Sequence, residues 1–255
     1  MLIGSTQNPK IKFIRQLKKR KYRDEHKLFL IEGKREIERA LKCGLKIHSY
    51  YYSNQNTNKL VLTTDKHEIN GPLFQKISYR KNSTGHLAIF HQPSTDINDI
   101  QLKPQPFILV IESPEKPGNI GALLRTADAV GVDSVIITNP DTDLFNPNAI
   151  RSACGTFFSR PIYLSDNQTT LDILQKNKIK TVATTPDTKN LYHQADYPSS
   201  IALIAGAENQ GLSDFWLNHA DLKIKIPMQG IADSLNLSVS TAIILYKIRE
   251  QRHQP

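Results

Sequence analysis

The sequence predicts an α/β fold: a mostly parallel sheet in the second half of the chain and a smaller α/β unit in the first. Three observations carry that expectation. From residue 107 onwards, short and nearly all-apolar segments recur with helical patterns between them, as in strands buried on both faces by crossover helices. Near residue 100 the composition changes: QPSTDINDIQLKPQP loses all periodicity and collects Pro, Asp, Asn and Gln, as a linker does. The charge changes at the same place. Residues 1–100 hold 19 Lys and Arg against 9 Asp and Glu, whereas residues 101–255 hold 14 against 15. A chain of 255 residues suffices for two modest domains. They are expected at 1–91 and 107–255, joined by a linker over 92–106.

In the first domain a basic helix is expected over 8–22, a strand at LFLIEG (28–33), and a helix REIERALKCG (35–44) that ends on Gly44. Strands follow at HSYYYS and HLAIFH (86–91). In the second, strands FILVIE (107–112), SVIIT (134–138), RPIYL (160–164), KTVATT (180–185), IALIAG (201–206) and LKIKIP (222–227) alternate with helices. These helices are expected from Asn119 to Val130, near Pro147–Cys154, at LDILQKN and SDFWLNHA, and from the Ser/Asn-rich run after Gly230 to about Arg252.

Several function classes are excluded. No apolar run approaches the ~20 residues of a membrane helix, and MLIGSTQNPK lacks a signal-peptide pattern, so a cytoplasmic location is expected. Cys43 and Cys154 stand far apart and imply neither a disulfide nor a metal site; each reads as a small buried hydrophobe. KIKFIRQLKKRKYRDEHK (10–27) carries nine basic residues. So lopsided a basic half points to a polyanion, and nucleic acid is the expected partner.

Parallel sheets bind ligands in loops beyond the C-terminal ends of their strands. Three of those loops carry unusual residues. In ESPEKPGNIGALLRTADAVG, Asn119 is a natural N-cap, and a helix N-terminus favours an anion. Arg125 there reads either as a surface arginine or as a guanidinium fork for phosphate. A dinucleotide fold is disfavoured because GNIG lacks the third glycine of that fingerprint. IAGAENQGLSDFW places Glu208 between Gly206 and Gly211, as turn chemistry or as a place of close ligand approach. In IPMQGIADSLNLSVSTAIILYKIREQ (226–251), Asp233 or Ser234 can cap the last helix, which leaves Asn236, Ser238 and Ser240 without a role. Ser234 and Ser238 are expected on one helix face.

Taken in order, N-x-G-x-x-x-R (119–125), G-x-E-x-x-G-L (206–212) and I-P-M-x-G-x-x-x-S-L-N-x-S (226–238) closely resemble the three motifs of the SpoU, or TrmH, RNA ribose 2′-O-methyltransferases of the SPOUT superfamily. The basic half is similar to that family's substrate-binding domain, akin in fold to a ribosomal RNA-binding protein. The sequence departs from the pattern at Ser240, where alanine is frequent, and at Thr84–His86, where His-Gln-Gly is more usual. The resemblance implies a deep trefoil knot, a homodimer formed through the C-terminal domain, and S-adenosylmethionine held by Gly206, Ile226 and Leu235. It implies a catalytic set of Asn119, Arg125, Glu208, Ser234 and Asn236, and no metal. RNA contact falls to Lys18, Lys19, Arg20 and Lys21. A two-domain layout with a basic module favours ribosomal RNA, the large subunit first, over tRNA; a non-catalytic RNA-binding protein of the same fold is the alternative. A guanidinium stays protonated in proteins, so Arg125 is expected to clamp a phosphate beside the target ribose and not to act as base.

Overall fold

The computed structural model describes residues 2–56, 60–80 and 82–252. The chain divides into two compact units, Met1–Pro93 with Phe145–Ser159, and Ser94–Leu144 with Arg160–Pro255. Phe145–Ser159, assigned by sequence to the second domain, thus belongs with the first unit.

The first unit is built on a five-stranded mixed sheet. Its strands are β1 (Leu2–Ile3), β2 (Leu28–Glu32), β3 (Ile47–Ser53), β4 (Asp65–Ile69) and β5 (His86–His91), in the order β1-β4-β3-β5-β2. Side chains alternate between faces along a strand, and here both faces are buried. Leu28, Leu30, Leu87 and Ile89 share a core with Ile11, Ile14 and Leu17 of the N-terminal segment and with Phe74. On strands β2 and β5, Phe29 stacks on Phe90, and its ring meets those of Phe145 and Phe158. That aromatic cluster is why Phe145–Ser159, with helix α6 (Pro147–Ser152), joins this unit.

The basic N-terminal segment is two helices, α1 (Pro9–Gln16) and α2 (Arg20–His26), where the sequence predicted one. Asn8 caps the first through its side chain. Leu17 is fully buried at the break, and the guanidinium of Arg23, itself 2% exposed, donates to the Leu17 carbonyl at 2.7 Å. The freed helix end is therefore satisfied from within the unit. Helix α3 (Lys34–Lys42) follows, with Gly44 in the left-handed region as expected. Strand β4 and helix α4 (Gly71–Ile77) had no counterpart in the sequence reading. Cys43 is exposed and Cys154 partly so, contrary to the expectation that both are buried.

The second unit is a six-stranded, wholly parallel sheet. Strands β6 (Phe107–Glu112), β7 (Ser134–Thr138), β8 (Ile162–Ser165), β9 (Lys180–Thr184), β10 (Ile201–Ala205) and β11 (Leu222–Ile224) lie in the order β11-β9-β10-β6-β7-β8. The order reverses between β6 and β10, which places the crevice there, at the C-terminal strand ends. Ile108, Val110, Ile136, Ala202, Ile204 and Trp216 form the core of one face, with Leu171 and Leu174 from α7 (Asn167–Lys176). Helix α5 (Pro117–Val130) packs against the last helix, α9 (Leu237–Arg252); a short α8 (Asp214–His219) precedes β11. The end of α9 is clamped. Arg249 donates to the carbonyls of Val130 and Gly131 at 2.5 and 2.6 Å, satisfying the C-terminus of α5, while Gln251 donates to Ala195 and accepts from the Tyr197 amide.

Candidate active site

Three loops leave the C-terminal ends of β6, β10 and β11. The first is closed by the second. Helix α5 starts at Pro117, a residue suited to the first helical position, and not at Asn119. Lys116 is the N-cap and offers no side-chain bond. Asn119, expected as the cap, instead sits in the first turn with its side chain turned outward to Glu208.

Glu208 gathers three donors: Asn119 Nδ2 at 2.6 Å, the Glu115 amide at 3.1 Å and the Lys116 amide at 3.3 Å. Burial works to raise its pKa, but these hydrogen bonds outweigh it and hold the carboxyl below the usual glutamate value. The carboxylate is thus ionised and occupied, the condition of a positioning group. It is presented by a tight turn in which Ala207 and Gly211 exchange both backbone hydrogen bonds at 3.0 Å. A Cβ at Gly206 would lie 2.2 to 2.4 Å from the backbone of Gly211 and Leu212, so only glycine allows this closure.

The third loop ends on Asn236. Its Oδ1 accepts from the Ser238 amide at 3.0 Å and from the Ser238 hydroxyl at 2.7 Å, so Asn236 is the cap of α9, not Asp233 or Ser234. Ser234 lies before the helix and shares no helical face with Ser238. Asn236 Nδ2 donates to Asn119 Oδ1 at 3.3 Å. A single hydrogen-bonded chain, Asn236 to Asn119 to Glu208, therefore links the three motif loops. Arg125 is exposed on α5, six residues past Asn119 and hence roughly 120° round the helix. Ser234 is exposed as well.

Of the positions expected to hold a cofactor, Gly206 is buried, Ile226 half-buried and Leu235 exposed. From residue 226 to residue 235, the described chain makes no hydrogen bond within the protein. That run of free backbone donors and acceptors leads into Asn236, which is tied through Asn119 to Glu208 of the second loop, and it suits a polar ligand held by main-chain groups. Among the described residues no cluster of His, Cys, Asp or Glu is suited to a metal ion, and no helix is long and apolar enough to cross a membrane.

Sequence reasoning missed the supports of these loops. Glu112, buried at the end of β6, accepts from the Ser213 amide at 2.8 Å, the Ser213 hydroxyl at 2.6 Å and Asn167 Nδ2 at 2.6 Å. Asn167 in turn accepts from Trp216 Nε1 at 3.0 Å. Thr142 donates to the carbonyls of Pro114 and Glu115, and Asn209 donates to Glu115 at 2.5 Å. The available signal was a glutamate closing the apolar run FILVI.

In the first unit, Lys19, Arg20 and Lys21 are exposed at the junction of α1 and α2. Lys18 differs. Its ammonium lies 4.5 Å from the centre of the Tyr79 ring, and burial lowers its pKa despite the opposing field of Glu32. It is partly a packing group.

Residues 106–246 match the SpoU rRNA Methylase family, and residues 8–88 match the MRM3-like substrate binding domain. The 23S rRNA (guanosine(2553)-2′-O)-methyltransferase RlmP of Bacillus subtilis is 29% identical over 97% of this chain and 98% of its own length. A crystal structure of an RNA 2′-O ribose methyltransferase superposes with a TM-score of 0.89, 37% identical and covering 100% of both chains. The SpoU methyltransferase AviRb from Streptomyces viridochromogenes, solved in complex with AdoMet, superposes with a TM-score of 0.89 at 25% identity, covering 96% of this chain and 98% of its own. The motifs, the parallel sheet and these likenesses agree: the chain belongs to the SpoU rRNA methylase family.

Proposed function

We propose that the protein methylates a ribose 2′-hydroxyl of ribosomal RNA with S-adenosylmethionine as donor. The observation that carries this reading is the Asn236–Asn119–Glu208 chain, which binds the three family motifs into one site at the C-terminal edge of the sheet. S-adenosylmethionine, when bound, supplies a methyl group already activated on a sulfonium, so neither a metal nor a strong nucleophile is required. Gly206, Ile226 and Leu235 would hold it, the last two at the ends of the run whose backbone groups have no partner in the protein.

The remaining work is positioning, which can supply several kcal/mol of barrier lowering. Glu208, with its carboxylate taken up by Asn119 and the loop amides, fixes the β10 loop against the start of α5. Asn119 and Asn236 orient the ribose, and Ser234, exposed beside them, contributes a hydroxyl. Arg125, also exposed, clamps the adjacent phosphate; the displaced proton leaves to that phosphate or to water, because a guanidinium cannot accept it. The 2′-hydroxyl itself selects RNA over DNA.

In this reading residues 1–91, with a fold akin to a ribosomal RNA-binding protein, engage the RNA through Lys19, Arg20 and Lys21, with Lys18 behind them. Residues 107–255 hold the site, with their C-terminal segment drawn into a trefoil knot. The exposed Val239 and Tyr246, seven residues apart on one face of α9, support a homodimer through that helix, as does the exposed Ile231 before it. The 23S rRNA activity of the Bacillus subtilis relative favours large-subunit rRNA over tRNA, and a bacterial rRNA substrate implies the cytoplasm. The test is transfer of labelled methyl from S-adenosylmethionine to separated tRNA, small-subunit and large-subunit rRNA from cells lacking the gene. Label in the large-subunit fraction is expected. Label confined to tRNA would shift the substrate class, and absence of both label and cofactor binding would leave a non-catalytic RNA-binding protein.

A further inference from the structure

Four rings meet at one rim of the first unit. His26 closes α2, Phe13 lies on α1, His48 lies near the start of β3 and His91 ends β5. Phe13 stands 5.1 Å from His26 in edge-on contact and 6.4 Å from His48; His48 stands 5.6 Å from His91. Phe13 is half-buried against the core, but all three imidazoles are exposed. A contiguous set of ring faces held at a surface marks a candidate contact site.

The surroundings carry both signs within a basic half of the chain, where residues 1–100 hold 19 Lys and Arg against 9 Asp and Glu. Asp65 and Lys10 both act on His48 electrostatically, Glu25 precedes and Lys27 follows His26, and the Lys46 carbonyl accepts the His91 amide. No metal site is formed by these residues. We infer that His26, Phe13, His48 and His91 form a stacking platform for unpaired bases of the RNA substrate, with Lys10, Lys27 and Lys46 meeting the phosphates between them. The inference rests on the RNA-modifying reading and deepens it: the substrate class becomes RNA with single-stranded or splayed-out nucleotides. Every base offers a π-face, and stacking on aromatic side chains is sequence-tolerant. A paired stem keeps those faces inside its own stack.

The test compares binding of a short oligoadenylate and of an RNA duplex of equal length to the full chain at one salt concentration. Replacing the pair as His48→Ala with His91→Ala is expected to weaken oligoadenylate binding about tenfold for each base unstacked. Duplex affinity and the slope of affinity against salt stay near the original values, because the phosphate contacts persist. The pair His48→Tyr with His91→Tyr keeps aromatic faces and is expected to keep binding. Should the alanine pair lower the unfolding midpoint, His48→Asn with His91→Asn removes the rings while retaining polar planar groups and gives the same comparison. Equal losses on oligoadenylate and duplex, unchanged binding of both, or no binding of oligoadenylate by the unaltered protein would each overturn the platform. Failure of the methyl-transfer reading shows separately, as absence of label on rRNA from the unaltered protein.

Discussion

Asn119 donates to Glu208 at 2.6 Å while accepting from Asn236 at 3.3 Å, so one amide side chain joins segments that lie 89 residues ahead and 117 residues ahead in sequence. An amide can do both, because it carries a donor and an acceptor on one planar group. Asn119→Asp would set a second carboxylate against Glu208. We expect a loss of activity of at least tenfold, a raised Glu208 pKa, and a destabilisation of about 1–3 kcal/mol. Methyl-transfer assays, denaturant unfolding and the pH dependence of that unfolding measure all three; an active variant of unchanged stability would show that the bridge is incidental.

Glu208 has a pH signature. Its folded pKa lies below its unfolded value near about 4.3. The stabilisation is therefore complete above that value and is lost as pH falls through the folded pKa. Unfolding free energies of the original protein and of Glu208→Gln should differ by a constant amount from pH 7 down to about pH 5. The gap should close below about pH 4. A gap that widened on acidification would reverse the assigned shift.

Arg125→Lys keeps the charge but not the planar fork. Turnover is expected to fall roughly ten- to a hundredfold, about 1.4–2.7 kcal/mol of barrier. Cofactor affinity measured by calorimetry should not change if Arg125 serves the RNA, as proposed. Near-normal turnover by the lysine variant would remove the bidentate clamp from the account.

Glu112 is a structural prediction of a different kind. Alanine there leaves the Ser213 amide, the Ser213 hydroxyl and the Asn167 amide without their acceptor in a partly buried place. A cost of about 2–4 kcal/mol is expected by chemical denaturation, together with weaker cofactor binding as the 206–213 loop loosens. An unaffected stability would mean that water replaces the carboxylate without loss.

Tyr246→Glu places a charge on the apolar face of α9, 55% exposed at that residue in the single chain. If the face is a dimer interface, sedimentation should show the original protein as a dimer and the variant as a monomer. A monomeric original protein would refute the interface outright.

Much of this architecture was legible from residue type. The strands of the second unit are apolar on both sides because a parallel sheet is covered on both faces, and FILVIE, SVIIT and IALIA are apolar runs of strand length. Strand β4 was not legible. DKHEI carries charge at three of its five positions, and only its pairing between β1 and β3 makes it a strand. At the start of α9, local chemistry points to Asp233 or Ser234 as the cap; the structure uses Asn236, whose bond to Asn119 comes from a segment 117 residues away that the local sequence does not contain. Glu112 was invisible for the same reason, since its partners lie 55 and 101 residues away. The attachment of Phe145–Ser159 to the first unit depends on two phenylalanines meeting Phe29, a match that no periodicity encodes.

The most direct test is the position of the methyl group. Labelled rRNA from a reaction with the purified protein is hydrolysed in alkali, which cuts the chain at every free 2′-hydroxyl and spares a methylated one. The expected result is label recovered in alkali-resistant dinucleotides and absent when Arg125→Ala replaces the original protein. Label released in mononucleotides would place the methyl on a base and contradict ribose methylation by this site.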